Sequence, residues 1–391
     1  MSRAAPPPLE RLAEIAFASA LERLRDAGLD PSLGRLASTV AALSDVYTRR
    51  RERIGRDSRG AEAIAARLAF YAPRDALKID EVLEELDAAG ALPRDGDRWR
   101  VLDVGAGVGA SLAGVLVRAH VRGRPRAIEA TAVDADPRAL DAGAELLARF
   151  ARESGVVLNL STRISDVRRL RDPDPDAEAG FDLVLTANVL NELPRADRMP
   201  LLRDLLRRLA PDGLLLVLEP GLRETTRELM AMRDALVESG APLHVAGPCT
   251  HARPCPMLPS PRDWCHARLR GRLPTRTASL ARMAGLAEQG AAYAWLALRS
   301  VPGSVALLGS WRAVSEPLRA KGKTELWACG EPGLVRLRQL DRHRGSAADL
   351  AGLERGVLFD LEPDPSGPVQ AGAQRARLTT RDADADPDDA R

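Results

Sequence analysis

Residues 99–110 read WRVLDVGAGVGA. A β-forming run, WRVLDV, gives way to glycine at every second position (Gly105, Gly107 and Gly109) and then to a helical pattern. Glycine in such a loop permits backbone angles closed to other residues and lets the chain approach a ligand closely. The spacing G-x-G-x-G differs from the dinucleotide fingerprint G-x-G-x-x-G, in which a diphosphate rests on a helix N-terminus. Asp103, two positions ahead of the first glycine, also fits a diphosphate poorly. It suits a sulfonium ligand that carries a cationic amino-acid moiety.

Downstream, ATAVDADP, VVLNLSTRISD, FDLVLTANVL and DGLLLVLEP are further short β-rich runs. Helical stretches such as DPRALDAGAELLARFARES separate them. This alternation predicts a doubly wound α/β domain with a parallel sheet, whose ligands bind outside the carboxyl ends of the strands. A polar residue closes each of the next three strands: Asp134, Asp166 and Asn188. A carboxylate at Asp134 can accept from two ribose hydroxyls, and Asp166 can meet an adenine edge. Singly, each of these is as well read as a helix cap or turn residue. Jointly they predict an S-adenosylmethionine pocket formed by Asp103, Gly105, Gly107, Gly109, Asp134, Asp166 and Asn188. The arrangement resembles the class I methyltransferase Rossmann-like fold over residues 98–300.

Around this core the pattern changes. Residues 1–97 predict an N-terminal helical domain, with Pro73 expected to break a helix at a turn. Residues 301–361 read as a small antiparallel β unit, and 362–391 as a disordered acidic tail. The 391 residues carry a net charge of +2, so affinity for nucleic acid needs a local patch. No signal-peptide run and no long uncharged apolar stretch is present, so no membrane is expected and the cytoplasm of a bacterium is.

Three of the four cysteines, Cys249, Cys255 and Cys265, fall in one Pro/Arg-rich segment, and Cys329 stands 64 positions further on. In a reducing compartment a cluster of this kind points to a metal or redox site. The spacing C-x5-C-x9-C matches no generic zinc template. Three readings stay open on residues alone: a [4Fe-4S] cluster, a zinc site completed by His251 or His266, or unligated core thiols. Either metal reading makes residues 245–285 a metal-binding insertion, with Cys329 anchoring it to the C-terminal sheet.

The stretches LSDVYTRRR, AFYAPRDALKI, VLDVGAGVGA, AVDADPRAL, TANVLNELP, GPCTHARPCPM, DWCH and LWACGEPG resemble the ribosomal small-subunit methyltransferase-like proteins of mitochondria and many bacteria. The resemblance covers most of residues 40–345. It implies association with the assembling small ribosomal subunit and a [4Fe-4S] cluster held by Cys249, Cys255, Cys265 and Cys329. It leaves two functional readings, an S-adenosylmethionine-dependent methyltransferase acting on ribosomal RNA and an assembly factor without catalysis. A zinc-containing small-molecule methyltransferase is a third. Methyl transfer from a sulfonium needs orientation above all, so no catalytic residue is singled out.

Arg253, Arg262, Arg268, Arg270, Arg272 and Arg276 against Asp263 give +5 within residues 247–276. Arginine pairs with phosphate and stacks on bases, so this run is the expected RNA contact, with Trp264 and Trp311 as candidate stacking surfaces. TRRRER at residues 48–53 is a second, weaker basic patch.

Overall fold

A computed structural model describes residues 7–50, 60–93, 96–170, 180–240, 242–300, 309–343, 350–363 and 376–380. Most of the expected acidic tail and the end of the 48–53 basic patch lie outside the described residues. The chain forms two compact units: Met1–Glu85, Leu92–Pro220 and Leu269–Tyr293 make the first, and Leu86–Ala91, Gly221–Arg268 and Ala294–Arg391 the second.

The first unit opens with α1 (Pro7–Asp26) and α2 (Leu33–Thr48). Proline in the first turn, Glu10 near the start and Arg23 and Arg25 near the end suit the dipole of α1. The Ser32 side chain caps α2 by accepting from the Arg35 amide. Next, α3 (Ala61–Ala66) continues through a π-helical turn, Arg67–Tyr71, into α4 (Ala72–Ala88). The helix therefore does not end at Pro73. It widens just ahead of the residue that lacks an N–H, and the Ala72 amide reaches back to the Arg67 carbonyl.

Then come β1 (Arg98–Val104), α5 (Ala110–Arg122), β2 (Ala127–Asp134), α6 (Pro137–Ser154), β3 (Val157–Ile164), β4 (Phe181–Ala187), α7 (Arg195–Arg207) and β5 (Leu209–Pro220). Their sheet order is β3-β2-β1-β4-β5, every pair parallel. Asp103 in the middle strand pairs with Ala132 of β2 and Leu185 of β4. The order reverses beside β1, and a doubly wound sheet opens its ligand crevice at such a switch point.

The N-terminal helices are not a separate domain, as the helical pattern of residues 1–97 suggests. They form a layer of the same unit as the sheet. Arg23 pairs with Glu145 at 2.7 Å and Arg149 with Glu22 at 2.9 Å, which fastens α1 to α6. A buried Arg118–Asp80 pair at 2.9 Å joins α5 to α4. The apolar stripes of α1 and α2 pack on neighbouring helices of that unit.

The second unit holds α8 (Arg223–Glu238), β6 (His244–Gly247), β7 (Ala267–Arg268) and, from Ala294 on, β8 (Ala292–Arg299), with β6 antiparallel to β8. It continues with β9 (Trp311–Ala313), β10 (Leu318–Ala320), β11 (Lys323–Gly330), β12 (Gly333–Leu340), β13 (Leu358–Pro363) and β14 (Ala376–Thr380). These six form one antiparallel sheet around β11, which pairs with β10, β9 and β12. Its core face carries Trp311, Leu326, Ala328, Leu337 and Phe359. Strand β14 falls inside the stretch expected as a tail: Phe359 pairs with Thr380 and Leu361 with Leu378. Ladder hydrogen bonds to β13 supply the order that the polar composition does not announce.

Candidate functional site

At the carboxyl end of β1, Asp103 is fully buried, and the Ser111 hydroxyl and the Leu112 amide at the start of α5 face its carboxylate. Burial first, and the Asp134 charge second, push its pKa up to about 7. The loop above it is held by Gly105 and Ala106, whose amides donate to the Val133 carbonyl at 2.8 and 3.0 Å. Gly105 and Gly107 adopt φ of +76° and +52°, which a side chain would resist. A Cβ on Gly107 would stand 2.4 Å from an Arg67 guanidinium nitrogen and 3.9 Å from Asp134 Oδ2.

Asp134 ends β2 half-buried, and both its oxygens accept backbone N–H groups: Gly107 at 2.8 Å and Asp136 at 2.9 Å. Each oxygen keeps a further lone pair for a ligand. Asn188 follows β4 with φ +59°, a left-handed conformation that few residues adopt. Its side-chain amide donates to Asp75 Oδ2 at 3.4 Å, and Asp75 in turn holds Lys78 at 2.7 Å. Asp103, the three glycines, Asp134 and Asn188 thus gather at neighbouring strand ends. Asp166 does not turn toward them. Its carboxylate caps the turn at Val167–Arg169, pairs with Arg168, and is held down to about 2, chiefly by that side chain.

Three further charged groups border the basin and escape a motif search. Arg67, from the π turn, lies against the glycine loop. Glu192 is exposed to solvent and stands near the Arg67 and Asp134 charges. Glu219, at the end of β5, is fully buried and pushed up to about 8 by that burial; it accepts from the amides of Leu190 (2.8 Å) and Asn191 (3.2 Å). Arg67 sits just ahead of the quoted stretch AFYAPRDALKI and Glu192 inside TANVLNELP, but nothing in their spacing marks them.

In the second unit the four cysteines are free thiols and line one cavity of about 20 Å³ with His251 and Arg312. His251 Nε2 lies 3.3 Å from Cys329 Sγ. Burial, and then mutual repulsion among the thiols, pushes Cys329 up to about 12 and raises Cys265 further. Among the described residues, no three His, Cys, Asp or Glu side chains stand as ready ligands of a single ion.

Three arginines tie the surrounding loop through its carbonyls. Arg233, with no exposed surface, donates to the carbonyls of His251 and Arg253 and pairs with Asp234 at 2.6 Å. Asp234 accepts from the Cys255 amide at 2.8 Å. Arg227 donates to the carbonyls of Met257, Leu258, Ser260 and Asp263 at 2.6–3.1 Å. Arg312 donates to those of Pro248 and Gly356, each at 2.6 Å.

The arginine run of residues 247–276 divides between the two units after Arg268. Arg253 pairs with Glu331 at 3.0 Å and Arg268 with Glu316 at 3.2 Å, while Arg276 lies over the Phe17 ring. Arg270 sits where buried Glu81 accepts from its amide and from that of Gly271. The two proposed stacking tryptophans are also engaged: Trp311 lies in the core, and Trp264 stacks on His266 and donates to the Gly221 carbonyl at 3.1 Å.

A parallel β3-β2-β1-β4-β5 sheet, with a glycine loop after β1 and acids at the strand ends, is the class I methyltransferase fold. The sequence model of the family described as mitochondrial small ribosomal subunit Rsm22 matches residues 64–352, and the chain belongs to that family. Comparison with curated proteins gives no match. Solved structures similar to part of the chain include an S-adenosylmethionine-dependent methyltransferase from Clostridium acetobutylicum, at 13% identity, TM-score 0.27, covering 40% of this chain and 54% of that one. PKMT2 from Rickettsia typhi, in complex with AdoHcy, is 18% identical over 41% of this chain and 29% of that one, TM-score 0.28. Magnesium protoporphyrin IX methyltransferase from Synechocystis PCC 6803, with bound SAM, is 14% identical over 67% of this chain and 96% of that one, TM-score 0.33. The chain spans about half of the clostridial protein and under a third of the rickettsial one. Among the described residues no helix is long and apolar enough to cross a membrane.

Proposed function

We propose that this chain is an S-adenosylmethionine-dependent methyltransferase of the small ribosomal subunit that binds and methylates ribosomal RNA during assembly. The observation that carries the cofactor assignment is Asp103, a fully buried carboxylate beneath the glycine loop that meets the Ser111 hydroxyl and the Leu112 amide but no cation among the described residues. Such a charge is costly unless a cation pairs with it, and the ammonium of the cofactor's amino-acid end is one. Asp134 receives the ribose hydroxyls, and Asn188 borders the acceptor cavity. Asp166 is left out, because Arg168 occupies its carboxylate.

S-adenosylmethionine supplies a methyl group already activated by its sulfonium. The chain's own contribution is placement, from the rigid strand ends.

The ribosomal assignment rests on family membership. For the cysteines, a [4Fe-4S] cluster on Cys249, Cys255, Cys265 and Cys329 fits the donor set, four free thiols on one cavity. When bound, it would crosslink the Pro-rich loop to β11. Zinc with His251 is the alternative, favoured by the short distance from its Nε2 to Cys329. Transfer of labelled methyl to immature small subunits tests the whole reading. Binding without transfer makes the chain an assembly factor, and absence of binding removes the ribosomal role. Iron, sulfide and zinc assays on protein purified without oxygen decide the metal.

A further inference from the structure

We propose that the outer face of the antiparallel sheet in the second unit, centred on Trp327 and Arg336, is a docking platform for single-stranded RNA. The proposal deepens the ribosomal reading above by naming a surface for it.

Strand β11 alternates strictly. Thr324, Leu326 and Ala328 point into the core with no exposed surface. Lys323, Glu325, Trp327 and Cys329 therefore share the opposite face. Register carries that face across to neighbouring strands: Trp327 pairs with Arg336, Glu325 with Arg338 and with Leu318. Trp327 is 37% exposed and Leu318 52% exposed. An apolar ring and an apolar side chain thus stand open on a sheet whose other side already has a filled core.

The chain has five tryptophans and aromatic residues make up only 3% of it, so an open indole here is not a product of abundance. The Arg336 guanidinium lies 6.0 Å from the centre of the Trp327 ring and covers it loosely. A base can slide into that space and take over the stacking. Charge favours nucleic acid over an acidic or neutral protein surface. On the Trp327 face, Lys323, Arg336 and Arg338 stand against Glu325, a surplus of +2. Glu325 is satisfied locally by Lys323 at 3.0 Å and Arg338 at 2.6 Å, so it does not repel phosphate at the indole. Duplex RNA offers its bases edge-on within grooves, whereas a flat indole on a sheet reads an unstacked base.

Fluorescence anisotropy of a labelled single-stranded RNA of about a dozen nucleotides, with the full chain purified without oxygen, tests this. Wild type is expected to prefer the single strand over the matching duplex. Trp327→Ala is expected to weaken single-strand binding about tenfold or more, and Trp327→Phe to keep it within about threefold, since any aromatic face can stack. Arg336→Gln should weaken binding and reduce the slope of log affinity against log salt by about one. Equal affinity of wild type and Trp327→Ala overturns the platform. So does an equal loss in Trp327→Ala and Trp327→Phe, which marks a structural role. If wild type binds no single-stranded RNA yet co-sediments with small subunits, the platform fails and the ribosomal reading stands. If it does neither, the ribosomal reading itself has failed.

Discussion

The amide of Gly107 donates to Asp134 Oδ2 at 2.8 Å, so the ribose-binding carboxylate of the proposed pocket also anchors the loop that forms the rest of it. Loop and acid act as one element. Asp134→Ala should therefore weaken S-adenosylhomocysteine binding by about 1.5–3 kcal/mol, the range for hydrogen bonds to a charged group. Isothermal titration calorimetry reads this directly. Undiminished affinity would mean that the carboxylate serves only the backbone.

Arg67 reaches the same loop from the π turn, on the side of Asp134 and Glu192. Among these acids it is the group suited to the ligand's own carboxylate. Arg67→Gln should lower affinity for S-adenosylhomocysteine about tenfold, the worth of one charge-assisted hydrogen bond, yet leave 5′-methylthioadenosine, which lacks the amino-acid end, almost unchanged. A parallel loss for both ligands would assign Arg67 to loop support instead.

Asp103 gives a pH signature. Its folded pKa, about 7, lies above the ordinary value of 3.8, so between those limits the folded state holds a proton that the unfolded chain has released. Its contribution to stability is complete below the ordinary value and is lost as pH rises through 7. Glu219, pushed up to about 8 by burial, acts in the same direction. Asp103→Asn, neutral at every pH, should melt higher than wild type at pH 8 and close to it at pH 4. A difference that does not change with pH would show that Asp103 is not protonated in the folded protein.

The strands, the glycine loop and the convergence of Asp103, Asp134 and Asn188 are legible in sequence because each rests on a local period or on a turn residue. Arg67 and Glu219 are not, for what places them is a helix widened ahead of Pro73 and the register of β5. The cysteine segment shows a different gap. Its six arginines invite an RNA reading, but the arginines that shape its loop are Arg227, Arg233 and Arg312, scattered in sequence and spent on carbonyls. Composition registers a positive charge and does not say whether water, phosphate or a peptide oxygen meets it. The exposed aromatic follows the same rule: Trp264 and Trp311 look equivalent to Trp327 until the fold places Trp311 in the core, Trp264 against the Gly221 carbonyl and Trp327 on an outer strand face.

Arg233 offers a test of that loop. Replacing it with methionine leaves two carbonyls without their donor and Asp234 without its cation, a loss of about 3 kcal/mol or more for a broken buried pair. Amide exchange at residues 249–257 should quicken while that in β1 and β4 stays slow. Arg233→Lys, with fewer donors, should fall between the two. Unchanged exchange at 249–257 would mean that the other arginines suffice.

Cys329 joins the loop to the sheet, since it belongs to β11 while the other three thiols belong to residues 249–265. If those thiols share a metal centre, Cys329→Ser removes one ligand and leaves the hard oxygen of serine, which binds iron or zinc more weakly than thiolate. Protein purified without oxygen should then carry less than half the wild-type metal, and exchange should quicken in β11 and at residues 249–257 together. Because serine replaces a partly buried thiol with a group of similar size, the fold of the first unit should be unaffected, and its S-adenosylhomocysteine affinity serves as the control. Metal at the wild-type level would place the fourth ligand elsewhere, with His251, 3.3 Å from the substituted sulfur, as the next residue to replace.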